Sequence, residues 1–138
     1  MIVERIVQKI GRIQEYSRLL QKIQGECLDR FDTDPLYRGA LLHYLYLMAD
    51  SCIALAELII KYKLLRPPQT YSEAIDILGE HRILDPEFAY SFARIAGFRN
   101  LLAHDYEMLD GHRICTMLLQ GLEEVKQYTA QIRQALDV

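Results

Sequence analysis

The stretch Gly97-Phe98-Arg99-Asn100-Leu101-Leu102-Ala103-His104-Asp105-Tyr106 sets a permanent cation, a titratable imidazole and a phenol beside apolar residues. An arginine can grip a phosphate with a planar two-point fork, and a histidine can move protons near neutral pH. Those are the parts needed to cut RNA without a metal. Read without chemistry, the same stretch is the capped, polar end of a core helix, and a motif this short is a hypothesis until its context supports it. A helix turns about 100° per residue, so an unbroken helix would set Arg99 and His104 about 140° apart, with Arg99 and Tyr106 within about 20° of each other. Either the helix ends or distorts near Ala103, or a second copy brings its own Arg99 and His104 opposite the first. In such a paired site one imidazole would take the 2′-hydroxyl proton and another would protonate the leaving 5′-oxygen. The guanidinium groups would hold the charge that develops on phosphorus. No carboxylate cluster of ligand quality stands nearby, so no metal is expected; Asp105 and Asp110 read as orienting or capping groups.

The elements that must position these residues are helical. Ile6, Ile13, Leu20 and Cys27 recur every seven residues, and Ile2, Ile10, Ile23 and Leu28 widen the stripe, so residues 2–30 read as one long amphipathic helix. A helix that long needs partners to cover its stripe, which points to a bundle. Asp32-Thr33-Asp34-Pro35 is a start signal. The helix it opens, to about Lys63, is apolar almost all round. Leu41 to Ile60 has the composition of a membrane span, but His43, Asp50 and Glu57 argue against one, since a central Asp alone costs about 2.5–3.5 kcal/mol in a bilayer. Spaced by sevens, those three share a face, either a narrow solvent-facing stripe or one that turns Asp50 into a polar cleft. The tandem prolines Pro67-Pro68 end this helix, and Thr70-x-x-Glu73 is a capping box for a short helix from Tyr71 to about Glu80. Asp85-Pro86-Glu87 starts the next, with core positions Phe88, Phe92, Ile95, Ala96 and Phe98. Gly97 weakens that helix but lets another backbone come close. Leu109-Asp110-Gly111-His112 reads as a turn before a last amphipathic helix over about 112–136. His81 and His112 read as surface residues.

The expected fold is therefore all-α: an up-and-down bundle of four long helices plus one short one, a single domain over 1–138, and homodimeric. The second helix carries enough apolar surface for two copies to associate, and two-fold dimers are the commonest oligomers. The chain has 138 residues, 51% apolar and 25% charged, ordinary for a soluble globular protein. Its net charge of −3 argues against a broad electrostatic grip on nucleic acid and leaves room for a local basic cleft. Cys27, Cys52 and Cys115 show no ligand spacing and read as buried thiols in a reducing compartment. The amphipathic N-terminus lacks a signal peptide's apolar run, and a cytoplasmic location is expected.

Arg99, four intervening residues, His104, one residue and Tyr106 resemble the RX4HXY signature of HepT-like toxins of the HEPN superfamily. Met48-Ala49-Asp50-Ser51-Cys52-Ile53-Ala54 and Arg66-Pro67-Pro68-Gln69-Thr70-Tyr71-Ser72-Glu73-Ala74 are similar to that family too, in the right order and with no departure from the motif. The resemblance implies an all-helical homodimeric RNase toxin of a toxin–antitoxin pair. Arg99 and His104 would be its catalytic pair, with Asn100 beside them; Asp50, if its face of the second helix turns into the cleft, is a supporting candidate. It implies a minimal nucleotidyltransferase antitoxin that moves AMP from ATP onto Tyr106, which would crowd the RNA cleft and partly neutralise Arg99. No cofactor or membrane is implied. Two other readings remain: a non-catalytic helical module that binds a nucleotide or protein partner, and an accessory subunit that presents substrate to the nucleotidyltransferase.

Overall fold

The computed structural model describes residues 1–138, apart from the side chain of Tyr106. All regular structure among the described residues is helical. Helix α1 (Ile2–Ile23) passes through a 3-10 turn at Gln24–Glu26 into the short α2 (Cys27–Arg30). The seven-residue stripe holds: Ile6, Ile13, Leu20 and Cys27 are all buried. Leu28 does not join it and is 63% exposed. The 3-10 turn winds three residues per turn, which shifts the phase of whatever follows and rotates Leu28 outward.

Asp34 opens α3 (Pro35–Tyr62) by accepting hydrogen bonds from the Leu36 and Tyr37 amides, with Pro35 at the first position, where no amide donor is needed. This is the central helix, packed against α1, α4 and α6. Its most apolar window is long enough to cross a membrane, yet 61% of that window is buried inside the fold. Its apolarity is that of a core helix. Helix α4 (Tyr71–Glu80) begins at the capping box: Thr70 Oγ1 accepts from the Glu73 amide, and Glu73 reaches back to the Gln69 amide.

The third of the four expected long helices arrives in two pieces, α5 (Pro86–Phe92) and α6 (Ile95–His104), separated at Ala93–Arg94. Asp85 caps α5 through the Phe88 amide. Helix α7 (Gly111–Leu136) starts at Asp110, which caps it through the His112 amide. Gly111 is required there, because a Cβ would be driven into the Phe31 ring. Tyr128 locks α7 to the core. Its ring stacks on Phe92 at 4.6 Å, and its hydroxyl donates to the Cys52 carbonyl at 2.6 Å.

The cysteines depart from expectation. Cys27 and Cys115 are paired as a disulfide with Cα atoms 5.4 Å apart, and Cys52 alone is a free buried thiol. The pair is 88 residues apart in sequence and joins α2 to α7. Sequence spacing carries no information about a contact of that range, so it was invisible there.

Candidate functional site

Arg99 lies on α6 and turns toward α3. Its Nε donates to Asp50 Oδ1 at 3.0 Å, one terminal nitrogen donates to Asn100 Oδ1 at 3.2 Å, and the other donates to the Tyr46 hydroxyl at 3.3 Å. Its charged carbon lies 5.4 Å from the centroid of Tyr46 and 5.0 Å from that of Tyr71. These rings give it cation–π neighbours on two elements, α3 and α4. Burial is the largest single influence on the Arg99 pKa and would lower it. The Asp50 hydrogen bond and the neighbouring Tyr46, Asp50 and Tyr71 outweigh that, so the guanidinium is held above its ordinary value. It is permanently charged. A guanidinium carries five N–H donors, and three are used. The others remain to offer a phosphate.

Asp50 therefore looks across to the motif rather than merely lining a solvent stripe. Its side chain is 45% exposed and that of Arg99 is 15% exposed. The pair sits at the edge of the protein, where water screens it, and it is worth about 1 kcal/mol rather than the several expected deep inside.

His104 is the last residue of α6, and the chain leaves helical geometry at Asp105, with φ −131° and ψ 31°. Residues 99 to 104 are thus all helical, so the helix does not distort early enough to swing His104 back toward Arg99. His104 is exposed and makes no side-chain hydrogen bond among the described residues. Gly97, Asn100, Leu101 and His104 form one exposed face of α6, at the spacing i, i+3, i+4, i+7. A Cβ at Gly97 would meet nothing within 4 Å, so the close backbone approach expected there does not occur within this chain. The Tyr106 phenol, expected to be the modified group, lies outside the described residues.

Of the sequence candidates, Arg99, Asn100 and Asp50 come together, and His104 stands apart on the same helix. Tyr46 and Tyr71 were missed. Tyr46 had a signal, since it lies four residues before Asp50 and so shares its helix face. Tyr71 had none beyond opening α4. No group of three or more His, Cys, Asp or Glu side chains could hold a metal among the described residues.

A model of the family described as ribonuclease HepT-like matches residues 8–132. The chain belongs to the ribonuclease HepT-like family. The HepT-like chain is 22% identical to the mRNA nuclease HepT of Shewanella oneidensis, over 93% of this chain and 96% of that protein. It is 26% identical to the tRNA nuclease HepT of Aphanizomenon flos-aquae, over 99% of this chain and 90% of that protein. Its fold matches a solved structure of the tri-AMPylated Shewanella oneidensis HEPN toxin in complex with MNT antitoxin. The TM-score is 0.84 at 22% identity, covering 94% of this chain and 96% of that one. A likeness at that identity is one of fold.

Proposed function

We propose that this HepT-like chain is a metal-independent endoribonuclease toxin whose site is shared by two copies, and that its antitoxin is a nucleotidyltransferase that silences it by AMPylation at Tyr106. Family membership supports the ribonuclease class. The Shewanella complex, an AMPylated HEPN toxin with its MNT antitoxin, supports the partner and the modification.

The observation that carries the shared site is the split within the motif. Arg99 is held toward α3 within the chain, while His104 stands on an exposed α6 face with Gly97 and Leu101. A glycine and a leucine on a bare helix face suit close helix–helix contact. Two such faces packed about a two-fold axis would set both His104 side chains in one groove flanked by both Arg99 groups. One imidazole accepts the proton of the ribose 2′-hydroxyl as its oxygen bonds to phosphorus. The other gives a proton to the 5′-oxygen as the P–O5′ bond breaks, leaving a 2′,3′-cyclic phosphate and a 5′-hydroxyl. The guanidinium groups take the charge on the phosphorane oxygens. An RNA substrate and an ATP-using antitoxin would support a cytoplasmic location.

Purified protein should cut RNA in EDTA, spare DNA and leave 2′,3′-cyclic ends. Wild type co-expressed with an excess of His104→Ala should lose cutting as mixed dimers form, because each mixed dimer brings one imidazole to a groove that needs two. Mixed dimers that cut as well as wild type would remove the shared site, and intact RNA with wild type would remove the nuclease mechanism.

A further inference from the structure

We propose that the cleft between the first half of α3 and the end of α6 binds the phosphate backbone of the RNA strand flanking the cut, through Arg38 and His43. The inference rests on the reading of the motif as an RNA-cutting site and deepens it. The cleft encloses about 480 Å³ and is lined by Arg38, Gly39, His43 and Tyr46 of α3 with Leu102 and Ala103 of α6, among others.

It borders both ends of the motif. Tyr46 holds Arg99 through its hydroxyl, and Ala103 immediately precedes His104. A strand with its scissile phosphate at Arg99 and its ribose near His104 has this depression beside it.

The cleft also has the right charge. The chain carries 19 acidic against 16 basic residues, yet no Asp or Glu lines this cleft. On α3, Leu42, Tyr46 and Gly39 lie within about 60° of one another, with Arg38 and His43 at opposite edges about 140° apart. That arrangement makes an open floor with a donor on each rim. Arg38 spends one terminal nitrogen on the Phe31 carbonyl at 3.1 Å and has no carboxylate partner among the described residues. The exposed His43 imidazole has an N–H to donate in either protonation state. A Cβ on Gly39 would meet nothing within 4 Å, so the floor is open at its centre.

The other large cavity, about 440 Å³ between α3, α6 and α7, differs. It is mostly apolar, and its Arg94 and Arg113 are balanced by Asp110 and Glu124. Arg94 is already paired with Glu124. It offers a polyanion nothing.

The test is binding of a fully 2′-O-methylated RNA oligonucleotide, which has no free 2′-hydroxyl and cannot be cut, followed by fluorescence anisotropy over a salt series. Arg38→Gln with His43→Gln should weaken binding about 10-fold or more and lower the salt slope by about one for the lost arginine. Arg38→Lys should hold affinity within about 3-fold, since the charge stays. Gly39→Phe should fill the cleft and weaken binding without lowering Tm. In cleavage assays the loss should sit in KM rather than kcat. If wild type cuts RNA while affinity and salt slope survive the double substitution, the cleft proposal is overturned. If affinity falls as expected but wild type cuts nothing, the cleft stands and the nuclease mechanism falls. If light scattering shows that the substitutions change only the oligomeric state, a second copy covers this face and the proposal is overturned.

Discussion

The two ends of one helical stretch are built in opposite ways. Arg99 touches Asp50, Asn100, Tyr46 and Tyr71, on α3, α4 and its own helix. His104, five residues on, has no side-chain hydrogen bond among the described residues and lies exposed at the helix end. A group that stabilises charge in a transition state acts best when it is fixed before the reaction begins. A group that must exchange protons with substrate needs access and is costly to bury alone. On the proposed mechanism the folded chain meets the first task, and the second awaits another surface. The difference yields separable effects on activity and stability.

The largest effect is expected from His104→Ala. Losing a general acid–base group should cost about 10²–10⁴-fold in cleavage rate. Because His104 is exposed, urea melts should move by no more than about 0.5 kcal/mol. A large loss of stability would break the comparison by showing His104 to be structural. Arg99→Ala comes next, with about 10²–10³-fold lost from the rate. Unlike the histidine variant it should also destabilise the fold, by about 1 kcal/mol, because Asp50 loses its partner and the α3–α6 contact loses its clasp. Equal stability of the two variants would erase the distinction.

Much of the frame was legible because it rests on local rules. Asp34-Pro35 and Asp85-Pro86 start helices, and Thr70 with Glu73 caps one. The stripe Ile6, Ile13 and Leu20 fixes the buried face of α1, and Cys27 carries it into α2. What escaped was non-local. The break at Ala93–Arg94 follows no glycine or proline, and the pairing of Cys27 with Cys115 spans 88 residues. At the site, the motif gave Arg99 and His104, and the seven-residue spacing put Asp50 on a face without saying what it faced. Tyr71 reaches Arg99 only because the Pro67-Pro68 break lets α4 fold back along α3, a fact of topology rather than spacing.

Smaller substitutions sharpen the comparison by asking how Arg99 is held. Asp50→Asn keeps the shape but removes the charge, and the guanidinium should drift enough to slow cutting by about 10-fold. The two tyrosines then separate hydrogen bond from ring. Tyr46 offers both a hydroxyl at 3.3 Å and a ring, while Tyr71 offers only its ring, 5.0 Å away. Tyr46→Phe removes a long hydrogen bond, worth about 0.5 kcal/mol, and should slow cutting about 2-fold. Tyr71→Phe should change nothing measurable, whereas Tyr71→Ala should slow cutting about 2–5-fold, the value of one exposed cation–π contact. Parallel cleavage assays on the three variants decide the matter. If Tyr71→Phe slowed cutting as much as Tyr71→Ala, the phenol hydroxyl would be acting on substrate directly. The tidy division between a chain that fixes charge and a second surface that moves protons would then need a third participant.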